Sequence, residues 1–178
     1  MDAGSTDGEA GSQARPGVPA DIAGDVPVAL APERVRNFVP HREPILFIDR
    51  ILYLEPGKRA AAVCDLGTRT APVPLAGLFG EGFPAVLLVE VVAQAAATIL
   101  GIDCVRNGLS REGVPLAGVL ASVSDFELLG RVDPSAPLTV YVELERRSGR
   151  LNFYRGDVHS GARRVARGRI ALAVGVGA

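Results

Sequence analysis

Between Pro84 and Leu100 the chain runs for about five helical turns with no glycine and no internal proline, and nearly every residue is Ala, Val, Leu or Ile. Pro84 suits a first helical position and Gly101 suits a stop, which predicts a helix about 25 Å long. A Val-rich run can also be a strand, but this one is longer than strands usually are. Only Glu90, Gln94 and Thr98 interrupt the apolar composition after Ala85, and a spacing of four places them on one helical face. A helix that is apolar on every other side has to be buried. Lipid is a poor place for it. The segment is at the short limit for a bilayer, a central Glu costs about 2.5 kcal/mol or more there, and no second hydrophobic span exists. The rest of the chain must therefore wrap this helix.

What can do the wrapping is legible in outline. Residues 1–26 are rich in Gly, Ala, Ser, Asp and Pro without apolar periodicity, and are read as a disordered tail. Residues 27–178 are read as one domain, with ordered structure starting near Ala31, where a short helix carries Val35 and Phe38 inward before Pro40 ends it. Ile45–Leu54 reads as a buried strand, Pro56-Gly57-Lys58 as a turn and Ala60–Leu66 as the returning strand. After the long helix come four further strands, Leu116–Leu129, Leu138–Arg146, Leu151–Val158 and Arg164–Val174. Ser148-Gly149 and Ser160-Gly161 supply hairpin turns. Two strands, one long helix and four strands make an α+β order without internal repeats.

Composition removes several function classes. With a formal charge of −1 and no Trp, the chain has neither the basic balance nor the stacking residues of a nucleic-acid binder. No phosphate-cradling Gly-Lys-Ser/Thr loop and no metal-ligand set is present. Cys64 and Cys104 fall in no CxxC pattern and are read as free thiols. With no basic segment followed by an apolar run at the N-terminus, the cytoplasm is the expected compartment.

That leaves Glu90 as the residue to explain. A carboxylate in a buried helix is costly unless paired, hydrogen-bonded or protonated, and burial favours the protonated form that a general acid needs. The same residue could equally fill a polar spot in a subunit interface or cap a neighbouring loop.

Two motifs bear on this choice. Pro40-His41-Arg42-Glu43-Pro44-Ile45-Leu46-Phe47-Ile48-Asp49-Arg50 resembles the opening pattern of the FabZ-type 3-hydroxyacyl-[acyl-carrier-protein] dehydratases. Phe83-Pro84-Ala85-Val86-Leu87-Leu88-Val89-Glu90-Val91-Val92-Ala93-Gln94-Ala95 resembles their central-helix motif, and order and spacing agree with the family's. Weaker similarity continues to the C-terminal hairpin. The resemblance implies a hotdog fold, an antiparallel sheet wrapped around one long central helix, and dimers with active sites between protomers. It implies Glu90 as the catalytic carboxylate acting on the departing hydroxyl, with Ala85 and Gln94 in the substrate-binding surroundings. N–H groups at the helix start, near Ala85, would polarise the thioester carbonyl. Leu87 and Val91 would border an acyl tunnel. It further implies no cofactor beyond the phosphopantetheine that carries the substrate, and an acyl carrier protein as partner.

One position departs from the family. In place of the Gly-His-Phe-Pro-Gly stretch with the catalytic histidine, this chain has Gly77-Leu78-Phe79-Gly80-Glu81-Gly82, so Leu78 stands at the base's position and would only line the substrate site. His159 lies beside a turn, and His41 is read as ordering the loop that leads into the strand. Glu81, between two glycines, is poorly preorganised as a base. Three readings stay open. The chain could be the Glu-donating half of a dehydratase heterodimer with a His-bearing hotdog subunit, in fatty-acid or polyketide-type biosynthesis. As a homodimer, it could be a thioesterase using Glu90 and Gln94. Or it could be a non-catalytic acyl-carrier binder. Arg146, Arg147, Arg150, Arg163, Arg164, Arg167 and Arg169 could dock an acidic carrier protein or simply form a solvated strand face.

Overall fold

The computed structural model describes residues 28–66, 83–111, 113, 118–133 and 135–175. The tail expected over residues 1–26 lies outside them, as do Leu78 and Glu81. In chain order the elements are β1 (Val28–Leu30), α1 (Pro32–Val35), β2 (Arg50–Glu55), β3 (Arg59–Cys64), α2 (Leu87–Arg106), β4 (Gly118–Leu128), β5 (Leu138–Ser148), β6 (Leu151–Ser160) and β7 (Arg163–Val174). The strands form one antiparallel sheet in the order β1-β2-β3-β5-β6-β7-β4, and α2 lies against β3, β5, β6, β7 and β4. A sheet wrapped around one long helix is the hotdog arrangement.

The inner faces of the strands follow the two-residue period of a pleated sheet. On β6, Asn152, Tyr154, Gly156, Val158 and Ser160 are buried in alternation, and on β5 the inward set is Leu138, Val140 and Val142. Helix and sheet approach closely at Gly156, where a Cβ would stand 2.4 Å from Val92 Cγ1. That glycine is a packing residue. Gly149 (φ +57°) and Gly161 (φ +58°) take the left-handed conformation in the two hairpin turns, as their positions suggest.

Three boundaries differ from the sequence reading. The strand expected over Ile45–Leu54 begins only at Arg50. Leu46, Phe47 and Ile48 are buried as expected, but the backbone here serves other partners. Ile45 and Leu46 N–H bond to Arg42 O, and Phe47 N–H bonds to the Gln94 side chain. The first link to β3 is Asp49 N–H to Val63 O at 2.9 Å. β1, three residues long and upstream of the expected start at Ala31, pairs with β2. It is too short to show periodicity.

The long helix runs on through Gly101 to Arg106. Gly101 is no stop. A Cβ there would meet Phe38 O at 2.9 Å, so the glycine lets α2 pack against the turn after α1. The helix ends at Asn107-Gly108, where Gly108 (φ +72°) donates its N–H to Val105 O and Leu109 N–H reaches Cys104 O. These paired bonds form a Schellman termination, which satisfies carbonyls the helix would otherwise leave open. The window of α2 that is long and apolar enough for a membrane is 78% buried in the protein, so it is the core helix of this fold.

β4 is unlike the other strands. It is an edge of the sheet, paired among the described residues only with β7, and all its residues except Phe126 are exposed, including Val119, Leu120, Val123 and Leu128.

Candidate active site

The polar stripe of α2 meets the segment 41–49, and Gln94 is the residue that joins them. Its side chain is fully buried. Oε1 accepts the Phe47 N–H at 2.7 Å, and Nε2 donates to Ile45 O and to Glu90 Oε1, both at 2.8 Å. Both amide hydrogens and the oxygen are thus in use, so a buried polar group is satisfied by the loop it fixes. Thr98, expected on the same face, donates to Gln94 O at 3.0 Å and serves the helix backbone.

Glu90 is the member of the stripe that stays accessible. Its side chain is 30% exposed in the single chain, so the expected full burial is corrected: Val86 one turn before it is exposed, and Gln94 one turn after it is closed off. The face runs from solvent into the core, with the carboxylate at the border. Exposed Ile45 adds apolar surface to the loop that Gln94 holds.

His41 is where the sequence reading falls short. Its Nε2 lies 3.4 Å from Glu90 Oε1, a contact longer than a formed hydrogen bond, and its buried Nδ1 has no hydrogen-bond partner among the described residues. The loop backbone is bonded instead by Arg42, which donates to Val39 O and His41 O. No spacing rule links positions 41 and 90. The available signal was that the loop and the helix form the two halves of one motif pair.

At the start of α2, Leu87, Leu88 and Val89 N–H close tight turns onto Pro84, Ala85 and Val86 O. Ala85 precedes these first donors, at the positive end of the helix dipole, and no side chain caps Val86. Phe83 packs edge-on against Phe47 at 5.8 Å between ring centroids, holding this lead-in beside the loop. Leu87 is half-buried and Val91 fully buried in the core, so within the single chain Val91 lines no open space.

A depression among the described residues lies elsewhere. It is a shallow feature of about 500 Å³ on the sheet's outer face, lined by Tyr53, Arg59, Tyr141 and Arg155, and it does not reach Glu90. A second, of about 290 Å³, lies beside Arg164, Arg167 and Arg169. These arginines are not a bare cationic patch. Arg155 pairs with Glu143, Arg164 with Asp157, Arg167 with Glu127, and Arg169 with Asp125 and Glu145. Arg147 binds Asp103, and Arg146 stacks on Phe153. These pairs partly neutralise the arginine-bearing strand face. Cys64 and Cys104 are buried and unbridged, and burial, aided by Asp103, pushes the Cys104 thiol up. No group of His, Cys, Asp or Glu among the described residues is arranged to hold a metal.

Residues 33–174 match the ApeP-like family, described as ApeP dehydratase. The chain belongs to the ApeP-like dehydratases. The match includes both motifs, the whole of α2 and the strands from β2 through β7. Among curated relatives, this ApeP-like chain is 33% identical over 143 residues to the 3-hydroxyacyl-[acyl-carrier-protein] dehydratase FabZ of Natranaerobius thermophilus, covering 79% of this chain and 94% of that protein. The FabZ of Bordetella pertussis is 31% identical over 142 residues, covering 79% and 92%. Among solved structures, the dehydratase heterocomplex ApeI:P from Xenorhabdus doucetiae superposes with a TM-score of 0.66 at 13% identity, covering 80% of this chain and 91% of that one. The ApeP-like chain is thus a FabZ-type hotdog protein, with Glu90, Gln94 and His41 gathered at the mouth of its core helix.

Proposed function

We propose that this chain is the Glu-donating subunit of a composite 3-hydroxyacyl-carrier-protein dehydratase, acting in the cytoplasm on an acyl group carried by phosphopantetheine. The observation that carries this reading is the Glu90 carboxylate, held by Gln94 at the open end of a polar stripe and backed by a chain whose relatives are dehydratases.

In the reaction a base takes the α-hydrogen of the thioester and the Cα–Cβ double bond forms. The Cβ–O bond breaks, and Glu90 delivers a proton to the departing hydroxide, which leaves as water. N–H groups near Ala85 face the carbonyl oxygen as enolate charge develops there. Leu78 occupies the position of the family's base and cannot accept a proton. The base comes from the partner subunit, a hotdog protein that carries the histidine.

Two features favour a partner. Among the described residues β4 pairs only with β7, and it exposes Val119, Leu120, Val123 and Leu128 at a sheet edge where monomeric proteins place lysine, proline or a covering element. The similar Xenorhabdus protein is described as part of a heterocomplex. A homodimer acting as a thioesterase, with Glu90 activating water, is the second reading. Its support is the solvent access of Glu90.

Mass spectrometry of a 3-hydroxyacyl carrier protein separates them. Incubation with this chain and a His-bearing hotdog partner is expected to give loss of one water, while this chain alone gives none. Release of the acyl group by the chain alone would establish the thioesterase reading. Binding without turnover in every combination would leave a carrier-binding role and overturn both.

A further inference from the structure

Glu90 Oε1 is approached from two sides. Gln94 Nε2, one turn along the same helix, donates to it at 2.8 Å, and His41 Nε2, from the loop after α1, stands 3.4 Å away. Among the described residues Oε2 accepts no hydrogen bond. We propose that His41 is a positioning residue for Glu90, which together with Gln94 ties down Oε1 so that Oε2 is the oxygen that carries and delivers the proton.

The arrangement constrains both side chains. A nitrogen facing a carboxylate oxygen is attractive only when it bears the hydrogen, so Nε2 is the donor. Nδ1 is buried with no partner among the described residues, so Nε2 is the ring nitrogen that reaches the site. His41 therefore acts through Glu90. Once His41 closes to hydrogen-bond distance beside Gln94, Oε1 accepts two hydrogen bonds and is a poor place for the carboxyl hydrogen, which leaves it on Oε2. Without the second donor the carboxyl group can turn about its terminal bond, and its proton divides between two oxygens of which one faces the loop. The contact is long in the empty site, and catalytic hydrogen bonds commonly tighten only when substrate is bound.

This inference rests on the dehydratase reading, so its test has one arm that needs no turnover. In the first arm, 15N spectra of the imidazole are compared between the wild-type chain and Glu90→Gln. The Nε2–H tautomer of His41 is expected in the wild type, with a changed Nε2 signal in the variant. A Nδ1–H tautomer, or an Nε2 signal indifferent to Glu90→Gln, would overturn the proposal even if dehydration proceeds normally. In the second arm, dehydration is measured with the partner present. His41→Ala is expected to lower kcat about 10- to 100-fold with KM unchanged, the scale of a misoriented catalytic group. His41→Gln, which restores a donor of similar reach without a titrating ring, is expected to recover most of the rate. A wild-type rate for His41→Ala would remove the positioning role. Equal inactivity of both variants would mean that the ring itself must carry a proton, which also overturns the proposal. An assembly of wild-type chains that fails to dehydrate would count against the dehydratase reading alone, and the spectra would still decide on His41.

Discussion

At the scale of single residues, Gln94 matters as much as the carboxylate beside it. Its amide is fully buried and joins the helix to Ile45 and Phe47 across about fifty positions of sequence. Truncation would strand the Phe47 N–H in the interior, at a cost of about 1–3 kcal/mol. Gln94→Ala is therefore expected to lower the thermal midpoint, and to slow any reaction at Glu90 by freeing the loop. An unchanged midpoint in calorimetry would show that the amide is dispensable. The stripe Glu90-Gln94-Thr98 was legible from the spacing of four alone, because helical geometry fixes who shares a face. Which member does what was not legible. Thr98 turns back on its own helix, while Glu90 ends up at the border of solvent beside a loop more than forty residues upstream.

At the scale of elements, two glycines show how packing overrides local signals. Gly101 reads as a stop because glycine so often follows a helix, yet it sits inside α2 against Phe38. The actual stop, Asn107-Gly108, lies beyond the apolar run that drew attention to the helix. Gly156 offered no signal in a strand, although α2 and β6 are close there and leave no room for a Cβ beside Val92. Val92 is β-branched and stiff in a helix, so it cannot swing away from an added methyl. Gly156→Ala is expected to destabilise the protein by about 1–3 kcal/mol through overpacking. Urea unfolding would check it, and a midpoint equal to wild type would mean that helix and sheet can separate without cost. Strand positions were read well where alternation ran long, as in β5 to β7. They were read poorly at Leu46, Phe47 and Ile48, which are buried outside any strand, because burial and ladder bonding leave the same mark on a sequence.

At the scale of the whole molecule, the fold follows from one constraint, a helix too apolar to be left uncovered. The sheet supplies the cover, and β4 is what it leaves over. Val119, Leu120, Val123 and Leu128 are exposed along this edge, and the proposed assembly uses them as its association surface. Val123→Lys is expected to yield a monomer of intact secondary structure in sedimentation or light scattering, and to abolish dehydration with it. A dimer that survives this change would place the interface elsewhere. The sequence cannot show such an edge, since apolar residues in β4 look the same whether a second sheet or a second chain covers them. The central claim is that Glu90 of this chain completes a site whose base belongs to its partner, and single-turnover dehydration by a mixed dimer tests it most directly. With Glu90→Gln in this chain and the partner intact, the rate of water loss should fall by about 10²-fold or more while the dimer's mass is unchanged. A mixed dimer that keeps the wild-type rate would contradict the account.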